Sequence, residues 1–317
     1  MVKIAIAGGS GQVSQEIIDA LLVTKKHHVT ILSRKESPKT PIAPEIHWKA
    51  VDYDDEKSLA EALLGIHTLL SFVQVVSDPD QKSQKNLIKA AIAAGVKRFA
   101  PSEYGSQGTV NMVWWRGKEK VREYLEEVNA NEKVLEYTLF QPGLFLNYLA
   151  YPHKTAKHVE PLQSVFDFEN NRAMVVEGHE EAIITLTAVS DIAAVVARAV
   201  EYEGTWPTTG GIRGSRATFS QILEVDQKVR GSPFTVDKVK IEDLEAGDLK
   251  TSWSLKAVHN SIFEGQASAL LKEVPIGILL SSTKGAWDIS DDFNQIFPDY
   301  KFTSIEDFLG KVWEGKS

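Results

Sequence analysis

The first fourteen residues constrain the fold more than any other stretch. Val2-Lys3-Ile4-Ala5-Ile6-Ala7 is a short, almost wholly apolar run, as expected of a strand covered on both faces in a parallel sheet. It passes into Gly8-Gly9-Ser10-Gly11, and the segment from Gln12 to Leu22 then spaces Val13, Ile17, Ala20 and Leu21 as a helix does. A glycine-rich turn between a buried strand and a helix is where a dinucleotide pyrophosphate sits. Gly8 permits the tight turn, Gly11 lets backbone approach phosphate, and the helix start offers amide donors and the positive end of its dipole. Gly8, Ser10, Gly11, Gln12 and Val13 are therefore candidate cofactor contacts, the alternative being an ordinary glycine-rich turn. A third glycine would fall at position 14, where the chain has Ser14.

The end of the second predicted strand, His28-Val29-Thr30-Ile31-Leu32, bears on which nicotinamide cofactor to expect. An acidic residue there would hold a ribose 2′-hydroxyl, but the chain continues Ser33-Arg34-Lys35, with Glu36 close by. A guanidinium fork beside an ammonium favours a 2′-phosphate, so NADP(H) is the expected cofactor, with Ser33, Arg34 and Lys35 as contacts. A solvated basic loop is the alternative.

Strand and helix patterns then alternate. Strands are predicted over Ile46–Val51, Thr68–Val73, Val96–Ala100 and Leu135–Gln141, and helices over Glu56–Leu64, Asp80–Ala94 and Trp114–Val128, with Gly65 and Gly95 as stops. This order predicts an α/β fold, a doubly wound parallel sheet of the Rossmann type. Beyond Gly143 the regularity is lost. Strand-like stretches at Ala173–Val176 and Ala182–Leu186, a helix capped by Ser190-Asp191 and running to about Val200, and a helix over Ser220–Arg230 read as a smaller mixed α/β region. The expected division is residues 1–150 for the dinucleotide and 151–317 for the substrate, with about 187–203 returning to the sheet.

Composition narrows the functional classes. With 35 basic against 43 acidic residues, a formal charge of −8 argues against a nucleic-acid surface. The absence of cysteine excludes disulfides, thiolate metal sites and cysteine nucleophiles. His27-His28, His153 and His158 lack a carboxylate at a spacing that completes a site, so no metal is expected. No leader pattern precedes the first strand and no apolar run is long enough to span a bilayer, so a cytoplasmic protein is expected.

Several blocks together resemble the isoflavone reductase-like and NmrA-like group of atypical short-chain dehydrogenases, over essentially the whole chain. They are Gly8-Gly9-Ser10-Gly11, Val96-Lys97-Arg98-Phe99-Ala100-Pro101-Ser102-Glu103-Tyr104-Gly105, Lys118-Glu119-Lys120-Val121-Arg122, Gln141-Pro142-Gly143-Leu144-Phe145-Leu146-Asn147-Tyr148-Leu149 and Ser190-Asp191-Ile192-Ala193. The resemblance implies that Lys118 is the proton-transfer residue and adjoins the cofactor. It also implies cofactor contacts at Phe72, Val73 and Gln74 and at Pro142, Gly143, Leu144 and Phe145. Helical spacing puts Trp114, Lys118, Val121 and Leu125 on one face, so the amine would sit among apolar groups that lower its pKa; a snorkelling surface lysine is the alternative. Ordinary short-chain dehydrogenases carry Tyr-x-x-x-Lys on this helix. Here Trp114 stands at the tyrosine position and cannot deliver a proton.

Ser102 and Tyr104 follow the fifth strand, where open α/β sheets bind ligands, and can supply a further donor or simply pack. Trp114, Tyr148 and His153 are candidate substrate contacts that suit a flat aromatic ligand, with core packing as the alternative. The reading is an NADPH-dependent reductase of a small, aromatic or phenolic metabolite (an enone, benzylic ether or carbonyl), of the kind found in secondary metabolism. Two others stand beside it: an NADP(H)-sensing regulator that binds a protein partner without catalysis, and a non-redox isomerase, cyclase or dehydratase. A monomer or a homodimer is expected.

Overall fold

The computed structural model describes residues 1–37, 45–231, 233–256 and 264–315, and these form two compact units. The first comprises Met1–Tyr104, Trp114–Gln141 and Ile192–Gly211; the second comprises Gly105–Val113, Pro142–Asp191 and Ile212–Ser317.

The first unit holds a six-stranded sheet built from β1 (Val2–Ala7), β2 (His27–Ser33), β3 (Ile46–Ala50), β4 (Thr68–Ser71), β5 (Arg98–Ala100) and β6 (Glu136–Tyr137). Its order is β3-β2-β1-β4-β5-β6 and every pairing is parallel. This is the doubly wound arrangement expected from the strand and helix alternation, with the order reversing between β1 and β4. The crossovers are α1 (Gln12–Thr24), α2 (Glu56–Ala62), α3 (Lys82–Ala93) and α4 (Arg116–Val128). Ala5, Leu32, Leu69 and Phe99 of the strands close with Leu59, Leu87, Val121 and Leu125 of the helices into one apolar cluster, all at least nine-tenths buried. Removing these side chains from water is the main stabilising term of the unit.

The predicted sixth strand, Leu135–Gln141, divides. Glu136–Tyr137 stays beside β5, whereas Leu139–Gln141 pairs in parallel with Thr209–Gly211. Thr138 lies between the two and donates its amide to the carbonyl of Phe99 at 3.2 Å. The expected helices over Asp80–Ala94 and Trp114–Val128 each begin two residues later than their patterns indicate, because 3-10 turns at Pro79–Gln81 and Val113–Trp115 precede them.

In the second unit, Arg172–Val176 lies between Phe166–Asp167 (antiparallel) and Thr235–Val239 (parallel). Ile183–Thr187 lies between Leu144–Phe145 (parallel) and Ser215–Thr218 (antiparallel). Helices cover Phe219–Arg230, started by a Thr218–Gln221 capping box, and Ile305–Trp313, capped by Ser304. The expected cap at Ser190-Asp191 has another role. The helix spans Val189–Glu201, the Val189 amide donates to Asn147 Oδ1 at 2.8 Å, and the Asp191 carboxylate accepts from the Tyr300 hydroxyl and the Thr303 amide.

Candidate active site

In the first unit the parallel strands send their carboxyl ends to one edge of the sheet, and the loops after β1, β2, β4 and β5 meet there. After β1, Gly8 adopts a φ of +76°, and a Cβ at this position would stand 2.8 Å from the Phe72 carbonyl oxygen, so only glycine fits. Gly11 then precedes α1, whose start carries neither a side-chain cap nor an acidic residue in its first turn. Ser14 occupies the third-glycine position productively. Its buried hydroxyl lies 3.0 Å from the Gly8 carbonyl and 2.8 Å from that of Gly11, tying the turn to the helix it feeds. The amide of the Gln15 side chain also donates to the Gly9 carbonyl. The result is a rigid turn in front of a helix start that can receive an anion, which fits a dinucleotide pyrophosphate.

After β2, Ser33 is half-buried while Arg34 and Lys35 are exposed. The Ser33 hydroxyl accepts from the Lys35 amide at 3.0 Å, and the Tyr53 hydroxyl donates to the Leu32 carbonyl at 3.0 Å. Burial pushes that phenol up to about 12. After β4, Phe72 and Val73 are half-buried and Gln74 is exposed. Two non-glycine residues, Asp80 and Gln81, then take left-handed backbone at φ 53° and 57°. The Asp78 carboxylate caps α3 by accepting from the amides of Ser83 and Gln84. The Gln84 side-chain oxygen in turn accepts from the Ser71 hydroxyl at 3.3 Å and the Ser102 amide at 3.0 Å, linking the ends of β4 and β5.

After β5 the chain reaches Tyr104, at φ 38°, whose amide donates to the Phe140 carbonyl. Its ring stacks on Phe72 at 4.7 Å and on Phe140 at 6.1 Å. The Tyr104 hydroxyl is buried with no hydrogen-bond partner among the described residues, and burial pushes its pKa well above the ordinary phenol value. Ser102 is half-buried beside it in the chain.

Lys118 is 4 % exposed, on the same face of α4 as Val121 and Leu125, and is not a snorkelling surface lysine. Gly117 allows this close packing: a Cβ there would fall 2.7 Å from both Val75 Cγ1 and Gln81 Cδ. The Lys118 Nζ donates to the Glu103 backbone carbonyl and lies 3.7 Å from the centroid of the Trp115 ring. No carboxylate comes within ion-pair distance of it among the described residues. Burial, the dominant cause, lowers its pKa from 10.5 to about 8; Glu103 pulls it up, Arg122 pushes it down and Glu119 pulls it up. Lys120, two residues on, is exposed and pairs with Asp80. Trp114 is half-buried, with its ring 6.0 Å from that of Trp115.

Glu103 and Arg122 had no role assigned to them from sequence. Arg122 Nε and Nη2 donate to the two carboxylate oxygens of Glu103 at 3.0 and 2.6 Å, and Nη1 reaches Glu119 at 3.2 Å. The Glu103 side chain is 1 % exposed. The available signal was the four-residue spacing of Lys118 and Arg122, which puts two cations on one helix face and calls for a counter-ion.

The remaining candidates belong to the second unit. Pro142, Gly143, Leu144 and Phe145 are buried, and Gly143 has a φ of +76° with no room for a Cβ against the Thr185 carbonyl. The Pro142 carbonyl accepts from the Thr187 hydroxyl at 2.7 Å. The Phe145 and Tyr148 rings lie 5.3 Å apart, and burial pushes the Tyr148 phenol up. His153 is exposed and its ring meets Trp313 edge-on at 5.1 Å. Among the described residues no group of three or more His, Asp or Glu side chains is arranged to hold a metal, and no helix is long and apolar enough to cross a membrane.

Residues 2–309 match the NmrA-like family. The chain belongs to that family. The family match takes in both units. An oxidoreductase of Botryotinia fuckeliana is 29% identical over 97% of this chain and all of its own length. A phenylcoumaran benzylic ether reductase of Nicotiana tabacum is 23% identical over 97% of each chain. Among solved structures, an NADPH-dependent quinone oxidoreductase of Escherichia coli, complexed with NADPH, superposes with a TM-score of 0.70 at 22% identity, covering 98% of this chain and all of that one.

Proposed function

We propose that this chain is an NADPH-dependent reductase of a small aromatic or phenolic metabolite, with Lys118 as its proton-transfer group. The observation that carries the reading is a buried lysine with no carboxylate partner among the described residues, beside the carboxyl ends of β4 and β5, held by a peptide oxygen and an aromatic face. A fully ionised ammonium in such a place is costly, so its proton is easily lost near neutral pH. The Gly8–Val13 turn and uncapped helix start receive the pyrophosphate, and Ser33, Arg34 and Lys35 meet the 2′-phosphate. Phe72, Val73 and Gln74 border the same edge, and Pro142, Gly143, Leu144 and Phe145 are assigned to the cofactor on family resemblance alone. Ser102, Tyr104, Trp114, Tyr148 and His153 are assigned to the substrate.

When bound, NADPH supplies a hydride to an electrophilic carbon. Lys118 in its neutral form takes a phenolic proton into its lone pair, which leaves the negative charge on the substrate oxygen, and it returns a proton in its charged form. With a midpoint near pH 8, both forms are populated at neutral to mildly alkaline pH. Trp115 and the apolar face of α4 exclude water from the amine. The aromatic substrate class draws support from the relatives, one named for a benzylic ether and one for quinones.

The test is a fluorescence titration with NADPH and NADH using the seven tryptophans, followed by a panel of phenolic enones, quinones and aryl ketones monitored for NADPH consumption. Tight NADPH binding with consumption is the expected result. Tight binding without consumption of any panel member favours a regulator or non-redox enzyme, and failure to bind NADPH overturns the reading.

A further inference from the structure

Lys118 does not hold its position alone. Its ammonium donates to the backbone carbonyl of Glu103, and the side chain of that same residue is gripped through both carboxylate oxygens by Arg122, one helical turn after Lys118 on α4. A loop peptide and a helix are thus tied together at two points, through one loop residue and two helix residues four apart. The carboxylate is 1 % exposed and the guanidinium 12 %, so water screens neither of them well from the amine. The other charged groups on elements packed against α4 are engaged elsewhere. Asp80 pairs with Lys120, the Asp78 carboxylate caps α3, Lys85 lies over the Tyr124 ring, and Lys82 and Lys89 pair with Asp54 and Glu56. On α4 itself Glu119 is paired with Arg122.

We propose that Glu103 and Arg122 are a positioning pair for Lys118, fixing where its amine sits and, through their opposed charges, how readily it releases its proton. This inference rests on the reading of Lys118 as the proton-transfer group. The two charges act in opposite senses: the Glu103 carboxylate favours the ammonium and the Arg122 guanidinium disfavours it. Because the pair is close to neutral as a unit, burial, opposed by the more exposed Glu119, is left to set the amine's proton affinity. Loss of either member alone therefore shifts that affinity, and loss of both together restores it.

The experiment is an NMR titration of full-length protein labelled with [6-13C]lysine, following the Lys118 Cε resonance from pH 6 to 11, with K118R to assign it. E103Q keeps the side-chain shape and one acceptor oxygen for Arg122 while removing the charge. Its midpoint should fall by about one pH unit, the scale on which a neighbouring charge acts. In E103Q/R122M, which removes both charges of the pair and leaves only the more exposed Glu119 without its partner, the midpoint should return to within about half a unit of the wild type. An unmoved midpoint in E103Q, or a double variant shifted as far as the single one, overturns the pair. A purely structural role would change unfolding without this reversal. Turnover retained in K118A would instead overturn the proton-transfer reading, so the two failures appear in different signals.

Discussion

At the amino end of the parallel sheet, Arg98 enters the interior of the first unit with each of its three guanidinium nitrogens hydrogen-bonded. Its Nε binds Glu136 at 2.9 Å, its two terminal nitrogens donate to the carbonyls of Tyr202 and Gly204, and its plane lies 5.0 Å over Trp206. Beside it, Lys26 and His27 share Glu201. At the carboxyl end, Lys118 is buried as deeply but has, among the described residues, only a peptide oxygen and an indole face. Tyr104 adds a buried hydroxyl without a partner among the described residues and a left-handed backbone. Both cations cover an aromatic ring, yet one is neutralised and the other is not. A neutralised buried charge staples loops to a sheet. One left without a carboxylate stores free energy that a ligand or a proton can release, and such unfavourable features gather at functional sites.

The contrast is broken if removing either charge has the same consequence. The largest expected effect on folding is at the amino end. R98M takes the guanidinium from Glu136, which keeps the Trp206 amide and Lys133, and strands two peptide carbonyls, so urea unfolding should show a loss of about 3 kcal/mol while NADPH affinity is unchanged. K118M should act in the opposite direction. The folded chain releases the Lys118 proton near pH 8 and the unfolded chain near 10.5, so below pH 8 the folded state bears the full cost of the charge. A fall of that size corresponds to at most about 3 kcal/mol, so K118M should stabilise the protein below pH 8, with the gain fading as pH rises toward 10.5. Thermal unfolding of both proteins between pH 7 and 10 reads this directly; a gain that grows with pH would contradict the assignment.

Smaller effects sharpen the same comparison within the nucleotide edge. R34A should weaken NADPH binding by about tenfold to a hundredfold and leave NADH binding nearly unchanged, as measured by tryptophan fluorescence. Equal losses for the two nucleotides would remove Arg34 from the 2′-phosphate. S14A should be the mildest. It removes the hydroxyl that bridges the Gly8 and Gly11 carbonyls, at about 1 kcal/mol in urea unfolding, with a parallel loss of NADPH affinity.

The residues differ in how far local sequence announces what they do. The strands β1, β4 and β5 were legible because apolar runs beside a glycine signal covered parallel strands, and β2 from its buried Val29–Leu32 run, whereas β3 is a mixed, part-exposed strand at the sheet edge. The break at Thr138 was not, because Leu139–Gln141 is claimed by Thr209–Gly211, about seventy residues along the chain, and nothing in Leu135–Gln141 itself marks the change of partner. Burial of Lys118 could be read from the spacing of Val121 and Leu125, which fixes the face of the helix. Its acceptor could not, since the Glu103 carbonyl reaches it only through a loop whose course depends on Gln84 and Arg122. Gly117 carries no turn signal, and its small size is explained by the Val75 and Gln81 side chains packed against it. Ser14 departs from the glycine pattern, and its hydroxyl supplies by hydrogen bonding the closeness that a third glycine would supply by size.

The measurement that bears most directly on the site is turnover by K118A at saturating NADPH, with the panel compound that the wild-type protein consumes fastest, alongside its NADPH dissociation constant. The expected result is a loss of about 10²- to 10⁴-fold in NADPH oxidation, the range for a removed proton-transfer group, with the dissociation constant within about twofold of wild type. Turnover close to wild type, with the cofactor still bound, would contradict the assignment of Lys118.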